Sequence, residues 1–135
     1  MDTFTVVAGF LRFVGEVLAD LAAKTLAEID IDLLSLKRTT LAEKLDDFTG
    51  DLSTTVKQEK GRVEQDMISR GLGNTTIRLG KLASIDEQAA TDTERATREY
   101  NRAIKEIALL ERKVREQNDT GFKKIVRYFR RLFEA

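Results

Sequence analysis

The chain has 135 residues, the length of one domain, and its 34% charged residues without a single proline are typical of long helices and coiled coils. It contains no Cys and no His, which excludes a disulfide framework and removes the usual ligands of zinc, copper and haem, so we expect no cofactor and no metal. Lys and Arg together number 23, as do Asp and Glu, and this balance favours neither a nucleic acid nor an acidic partner.

The first predicted element is an apolar helix over residues 4–34. Arg12, Glu16 and Asp20 lie four residues apart and form one narrow polar stripe on it, while the rest of its circumference is apolar or small. These charges exclude a membrane-spanning helix, and the acidic start without a basic region is unlike a secretory signal. We expect the wide apolar face to contact either another copy of the chain or a membrane surface. The residues expected at this contact are Phe10, Val14, Val17 and Leu21.

Apolar residues then recur every three or four positions over residues 35–70, which predicts the first arm of a helical hairpin. Residues 40–43 (TLAE) match a capping box, so we expect a break or kink just before them. Gly50 and Gly61 each disfavour a helix by about 1 kcal/mol relative to alanine, and they predict soft points in this arm.

The turn of the hairpin is predicted at residues 71–74. A helix commonly stops at a glycine in the left-handed conformation, followed by an apolar residue that folds back on the last turn. In this sequence, Asn74, Thr75 or Thr76 could then cap the next helix. The turn residues are Gly71, Leu72, Gly73 and Asn74.

Residues 75–118 carry a second apolar seam and form the predicted second arm. A second capping box at residues 84–87 (SIDE) suggests that the regular helix begins near residue 85, after a looser connector. Folding the arms back on each other at the turn pairs residues whose numbers sum to about 145. Phe48 then faces Ala96, and large residues meet small ones through the middle, as interdigitating packing requires.

A stop or bend is predicted at residues 119–121 (DTG), and residues 122–134 form a basic amphipathic helix. Five cationic side chains and Glu134 give it a net charge of +4. Such helices often bind membrane surfaces or partners, but we expect this one to pack on the apolar residues of 4–24, which the pairing of the arms places at the same end. The residues expected at an oligomer or membrane contact are Phe122, Ile125, Phe129 and Phe133, beside Val126 and Leu132 on the same side. The residues expected at an anion or lipid contact are Lys123, Lys124, Arg127, Arg130 and Arg131.

The predicted fold is therefore all-α, with residues 1–135 forming one helical domain. Its centre is a long antiparallel helical hairpin of the coiled-coil type, flanked by amphipathic N- and C-terminal helices. Two arms cannot bury their own seams together with both apolar ends, and large exposed apolar surfaces mark protein or membrane contacts. A homo-oligomeric helical bundle is the simplest arrangement that covers them.

The sequence indicates no catalytic site. Without His or Cys, the common nucleophile–base pairs cannot form. Carboxylates and arginines alternate over residues 94–112, which is typical of a solvated helix face with weak ion pairs. The glycines of residues 71–76 have no preceding strand and no phosphate-binding lysine, so they do not match a phosphate-binding loop.

Residues 70–77 (RGLGNTTI), 100–103 (YNRA) and 107–112 (IALLER) resemble short coiled-coil proteins of tailed bacteriophages, among them internal (ejection) and tail-associated virion components. The resemblance covers about residues 60–115. It implies a structural role in the virion, without catalysis, for a protein that binds itself and other structural proteins.

The competing interpretation is a peripheral membrane protein that acts through its amphipathic terminal helices, and it would place the chain in the cytoplasm or on a membrane surface. Nucleic-acid binding is the weakest of the three interpretations, because it depends only on the five basic residues of the C-terminal helix and the overall charge is balanced.

Overall fold

A computed structural model describes residues 2–134 of the chain, apart from the side chains of residues 118–124. It contains three α-helices: α1 (Thr3–Ala22), α2 (Ile31–Ser69) and α3 (Thr76–Glu134). No strand occurs among the described residues, so the predicted all-α class is confirmed. With 20, 39 and 59 residues, the helices are about 30, 59 and 89 Å long at the usual rise per residue.

α1 and α2 are separated at residues 23–30, so the prediction of one helix over 4–34 is wrong at its C-terminal end. The reason is a strong local cap, because the carboxylate of Asp30 accepts a hydrogen bond of 2.6 Å from the backbone N–H of Leu33. Asp2 caps α1 in the same way, accepting from the N–H of Thr5 at 2.8 Å. Both caps satisfy backbone donors that a helix start leaves free.

The two capping boxes seen in the sequence are not used. α2 continues through residues 35–40, where a kink was expected, and the hydroxyl of Thr40 donates to the carbonyl oxygen of Leu36 at 2.8 Å. A threonine that bonds within its own helix cannot cap a new one. α3 is likewise regular from its first turn, so the expected looser connector before residue 85 is absent from the described chain.

α2 ends in a motif that satisfies its last carbonyl groups. Gly71 has a φ of 75°, the only positive φ among the described residues. The N–H of Leu72 donates to the carbonyl oxygen of Met67 at 2.7 Å, and the N–H of Gly71 donates to that of Ile68 at 3.0 Å. This is the Schellman arrangement. The hydroxyl of Thr75 then accepts from the N–H of Arg78 at 3.4 Å at the start of α3.

α2 and α3 are joined by ion pairs along most of the length of α2. Arg38 lies 3.0 Å from Glu111, Lys60 lies 2.6 Å from Asp86, and Arg78 lies 2.7 Å from Glu64. Residues later in α2 are therefore paired with residues earlier in α3. The residues expected to face each other through the middle all lie in one buried cluster. They include Leu41, Phe48, Ala96 and Ala103.

α1 packs against both longer helices and completes the core. The rings of Phe10 and Phe48 lie 5.0 Å apart between centroids, and the carboxylate of Asp20 lies 3.1 Å from Lys37 Nζ. The backbone N–H of Thr3 donates to Glu59 at 3.4 Å. α1 therefore runs opposite to α2, because residues 23–30 turn the chain back on itself.

This position corrects the prediction for the apolar face of the first helix. Phe10, Val14, Val17 and Leu21 are each 5% exposed or less, and they contribute to the core of their own chain. They are therefore unavailable to a second copy or to a membrane. The prediction failed because it considered a hairpin of only two helices. In the structure, α1 is a third helix, and it covers the apolar seam of the other two.

The last part of α3 also differs from the prediction. The helix continues through residues 119–121, where a stop was expected, since one glycine inside a helix costs only about 1 kcal/mol. All residues from 125 to 134 are exposed, so the expected packing of the C-terminal helix on residues 4–24 does not form for them. The predicted contact residues Phe122, Lys123 and Lys124 belong to the stretch whose side chains lie outside the described part.

Candidate interaction surface at the C-terminal end of α3

We define the C-terminal segment as residues 125–134 of α3. Every residue in it is exposed, although half of its residues are large aliphatic side chains or phenylalanines. The exposed fractions of Phe133, Leu132, Ile125, Phe129 and Val126 are 88%, 57%, 55%, 52% and 40%. Large apolar residues on one side of a surface helix normally face a core. Here they face solvent, which marks the segment as a candidate contact surface.

The side chains of the C-terminal segment are separated by character around the helix. At about 100° per residue, its five apolar side chains fall within an arc of about 120°. The three arginines fall within an arc of about 100° on the opposite side, and Glu134 lies in the same arc, where three positive charges outnumber its one negative charge. We call these the apolar arc and the basic arc. The basic arc consists of Arg127, Arg130 and Arg131.

Tyr128 lies beside the apolar arc and was missed by the sequence analysis. Its ring packs edge-on against Phe129 at 6.0 Å between centroids, and 64% of the residue is exposed. The helical period would have identified it, because 100° per residue places it next to the apolar arc. A tyrosine at that boundary combines an apolar ring with a hydroxyl that can stay in water.

The basic arc carries charge that the described structure does not neutralise. Arg127, Arg130 and Arg131 form no ion pair with any described residue. By contrast, Arg38 and Arg78 pair with carboxylates of the opposite long helix. The unpaired arginines therefore leave this end of α3 strongly positive.

The charge of the chain is unevenly distributed along it. Residues 122–135 carry five basic side chains and one acidic side chain, which gives +4. Residues 1–121 carry eighteen basic and twenty-two acidic side chains, which gives −4. The balanced overall charge thus hides a basic end attached to an acidic bundle.

The other predicted site residues lie elsewhere. The predicted turn residues lie in the connection between α2 and α3, more than 50 residues before the C-terminal segment in the chain. They are Gly71, Leu72, Gly73 and Asn74. The groove beside this connection is lined by Glu64 and Arg78, which neutralise each other at 2.7 Å. The structure therefore does not bring the turn together with the basic end of the chain.

The remaining grooves offer little chemistry. Asp92 is buried between α1 and α3, and one of its carboxylate oxygens accepts a hydrogen bond from Gln88 at 3.0 Å. Lys44 lies over the ring of Phe13 at 5.2 Å, in the groove between α1 and α2. The described residues contain no group of three or more carboxylates arranged to hold a metal ion.

No helix within the described part of the chain combines the length and the apolar character that crossing a bilayer requires. Comparisons with protein-family models, with curated proteins and with solved structures gave no match to this chain. The resemblance to virion proteins of tailed bacteriophages therefore stays a prediction.

Proposed function

We propose that this chain is a non-enzymatic binding protein, in which a bundle of α1, α2 and α3 presents the C-terminal segment to a partner surface. The observation that carries the proposal is the complete exposure of residues 125–134 in spite of their apolar arc. Monomers rarely leave a contiguous patch of this kind without a use for it.

The proposal includes an antiparallel hairpin of α2 and α3 that serves as the rigid support. The three ion pairs between these helices and the buried residues Leu41, Phe48, Ala96 and Ala103 support this arrangement. α1 closes the third side of the core through Phe10 and its neighbours. No residue of the C-terminal segment belongs to the described core, so stability and binding reside in different parts of the chain.

The proposal is tested with the full chain carrying Phe129→Ser and Leu132→Ser. Both residues are more than half exposed, and exposed substitutions usually cost less than about 0.5 kcal/mol each, so we expect the melting temperature to fall by no more than about 4 °C. The same variant should lose the binding that the unchanged chain shows, whether to itself by light scattering or to lipid vesicles by pelleting. A matched change in the core, Leu41→Ser, should unfold the protein, because Leu41 is 0% exposed.

Two results would refute this proposal. A drop of more than about 5 °C in the double variant would show that the segment is part of the folded core. A chain that neither self-associates nor binds vesicles would show that the apolar arc contacts neither kind of surface.

The second candidate function is a homo-oligomeric structural protein of a phage virion, as the resemblance implies. The observation that favours it is the exposure of further large apolar residues on the bundle, with exposed fractions of 62% for Leu36, 68% for Ile68 and 60% for Leu79. In that case the oligomer forms through the bundle. Its mass in light scattering would then be the same in the unchanged chain and in the Phe129→Ser/Leu132→Ser variant.

A further inference from the structure

We infer that the partner of the C-terminal segment is an anionic lipid surface, on which the segment lies in the plane of the headgroups. This inference rests on the proposed function, because it names the partner of the same surface. It follows from three properties of the segment: the separation of its two arcs, its unpaired positive charge, and its small size.

The two arcs of the C-terminal segment match the two layers of a membrane interface. Helices that lie in a membrane interface have a basic face and an apolar face with aromatic residues, and they bury the apolar face in the boundary between headgroups and acyl chains. The C-terminal segment has this composition, with Phe129 and Phe133 on the apolar arc and Tyr128 at its edge. Tyrosine is enriched at the headgroup level, where its ring and its hydroxyl meet different environments.

A second copy of the same segment is a poorer partner than a lipid surface. Two such segments packed through their apolar arcs would leave both basic arcs, with six arginines, on the outer faces of the pair and without an anionic partner. Each segment is about 15 Å long, and two of them would bury on the order of 600 Å² in total. Stable interfaces bury about 1,200–2,000 Å². The pairing therefore buries too little area and gives the basic arcs nothing to bind.

The acidic bundle of a second copy has a net charge complementary to that of the segment. Three of its exposed large apolar residues, Ile68, Ile77 and Leu79, lie near the connection between α2 and α3, whereas Leu36 lies near the start of α2. A segment about 15 Å long could cover only the group at the connection, where Glu64 and Asp66 are already paired with Arg78 and Arg70 and so offer no free carboxylate to the basic arc. A bilayer offers continuous apolar and anionic layers, and therefore matches both arcs at once.

The test uses the full chain and two kinds of vesicles, one of neutral phosphatidylcholine and one with about a third of the lipid replaced by phosphatidylserine. We expect pelleting with the anionic vesicles and little with the neutral ones. Each basic residue near an anionic surface strengthens binding about fivefold, so Arg127→Gln, Arg130→Gln and Arg131→Gln together should weaken binding about 100-fold. Binding should also weaken as the salt rises from 0.1 to 1 M, because the screening length falls from about 10 to 3 Å.

A matched control removes the same number of charges from another part of α3. Arg95→Gln, Arg98→Gln and Arg115→Gln change three exposed arginines of the bundle, and this variant should weaken vesicle binding less than fivefold. The Phe129→Ser/Leu132→Ser variant should lose most of its binding to the anionic vesicles, because it removes the insertion of the apolar arc. The melting temperature of each variant, measured without lipid, verifies that it is folded.

Three results would overturn the inference. Equal binding to neutral and anionic vesicles would remove the role of the basic arc, and an equal loss in the control variant would show that only net charge matters. A chain that binds no vesicles but self-associates, and loses that self-association in the Phe129→Ser/Leu132→Ser variant, would identify a second copy as the partner. In that last case the proposed function stands and only the lipid surface is wrong.

Discussion

Replacing Phe48 with alanine tests how the three helices share one core. Phe48 is 3% exposed, and its ring lies 5.0 Å from that of Phe10, so α2 and α1 meet there. Removing a buried phenylalanine loses its transfer free energy and leaves a cavity, which together cost about 3–5 kcal/mol. At about 3.5 °C per kcal/mol for a chain of this size, the melting temperature should fall by about 10–18 °C.

The measurement is thermal unfolding followed by circular dichroism, with Phe129→Ala as the matched control. The control removes the same atoms from an exposed position, and it should change the free energy of unfolding by less than about 0.5 kcal/mol. The double variant with Phe10→Ala should reveal a coupling of about 0.5–1.5 kcal/mol between the two rings. If Phe48→Ala costs no more than Phe129→Ala, then α1 does not pack on α2 as described.

Three further predictions concern single positions. In a denaturant titration, Gly71→Ala should destabilise the chain by about 1–2 kcal/mol, because a Cβ is strained at a φ of 75°. Gly73→Ala should be nearly neutral in the same titration, because its Cβ would meet Ile68 at an ordinary 3.4 Å. Gly61→Ala should raise stability by about 1 kcal/mol, because it lies in a helix with open space around the new Cβ; a loss of stability would contradict this. The hydrogen bond from Lys37 holds the pKa of Asp20 below its ordinary value of 3.8. The contribution of this carboxylate to folding stability is therefore present above pH 3.8 and is lost as the pH falls through the lowered pKa. Asp20→Asn should therefore lower the melting temperature at pH 7, and the difference should disappear in strong acid.

The local signals of the sequence predicted the helices better than their boundaries. Spacings of three and four residues predicted the helical class, and Gly71 lies in the left-handed conformation at the end of α2. The capping boxes at residues 40–43 and 84–87 gave wrong breaks, while Asp30, which has no such box, caps α2. A capping pattern is only a local preference of about 1 kcal/mol, and a helix that is packed along its whole length outweighs it.

The sequence by itself determined the character of the C-terminal segment, because the separation of apolar and basic residues around a helix depends only on the helical period. Which apolar face is covered depended on the tertiary structure. The wide face of α1 and the apolar arc of the C-terminal segment look alike as patterns, yet Val14 is 2% exposed and Phe133 is 88% exposed. The difference arises because residues 23–30 turn α1 back onto α2 and α3, whereas α3 continues beyond the residues that contact α1 and α2. The helical period shows that a helix has an apolar face to bury. Only the path of the chain in three dimensions decides whether other residues of the same chain bury that face.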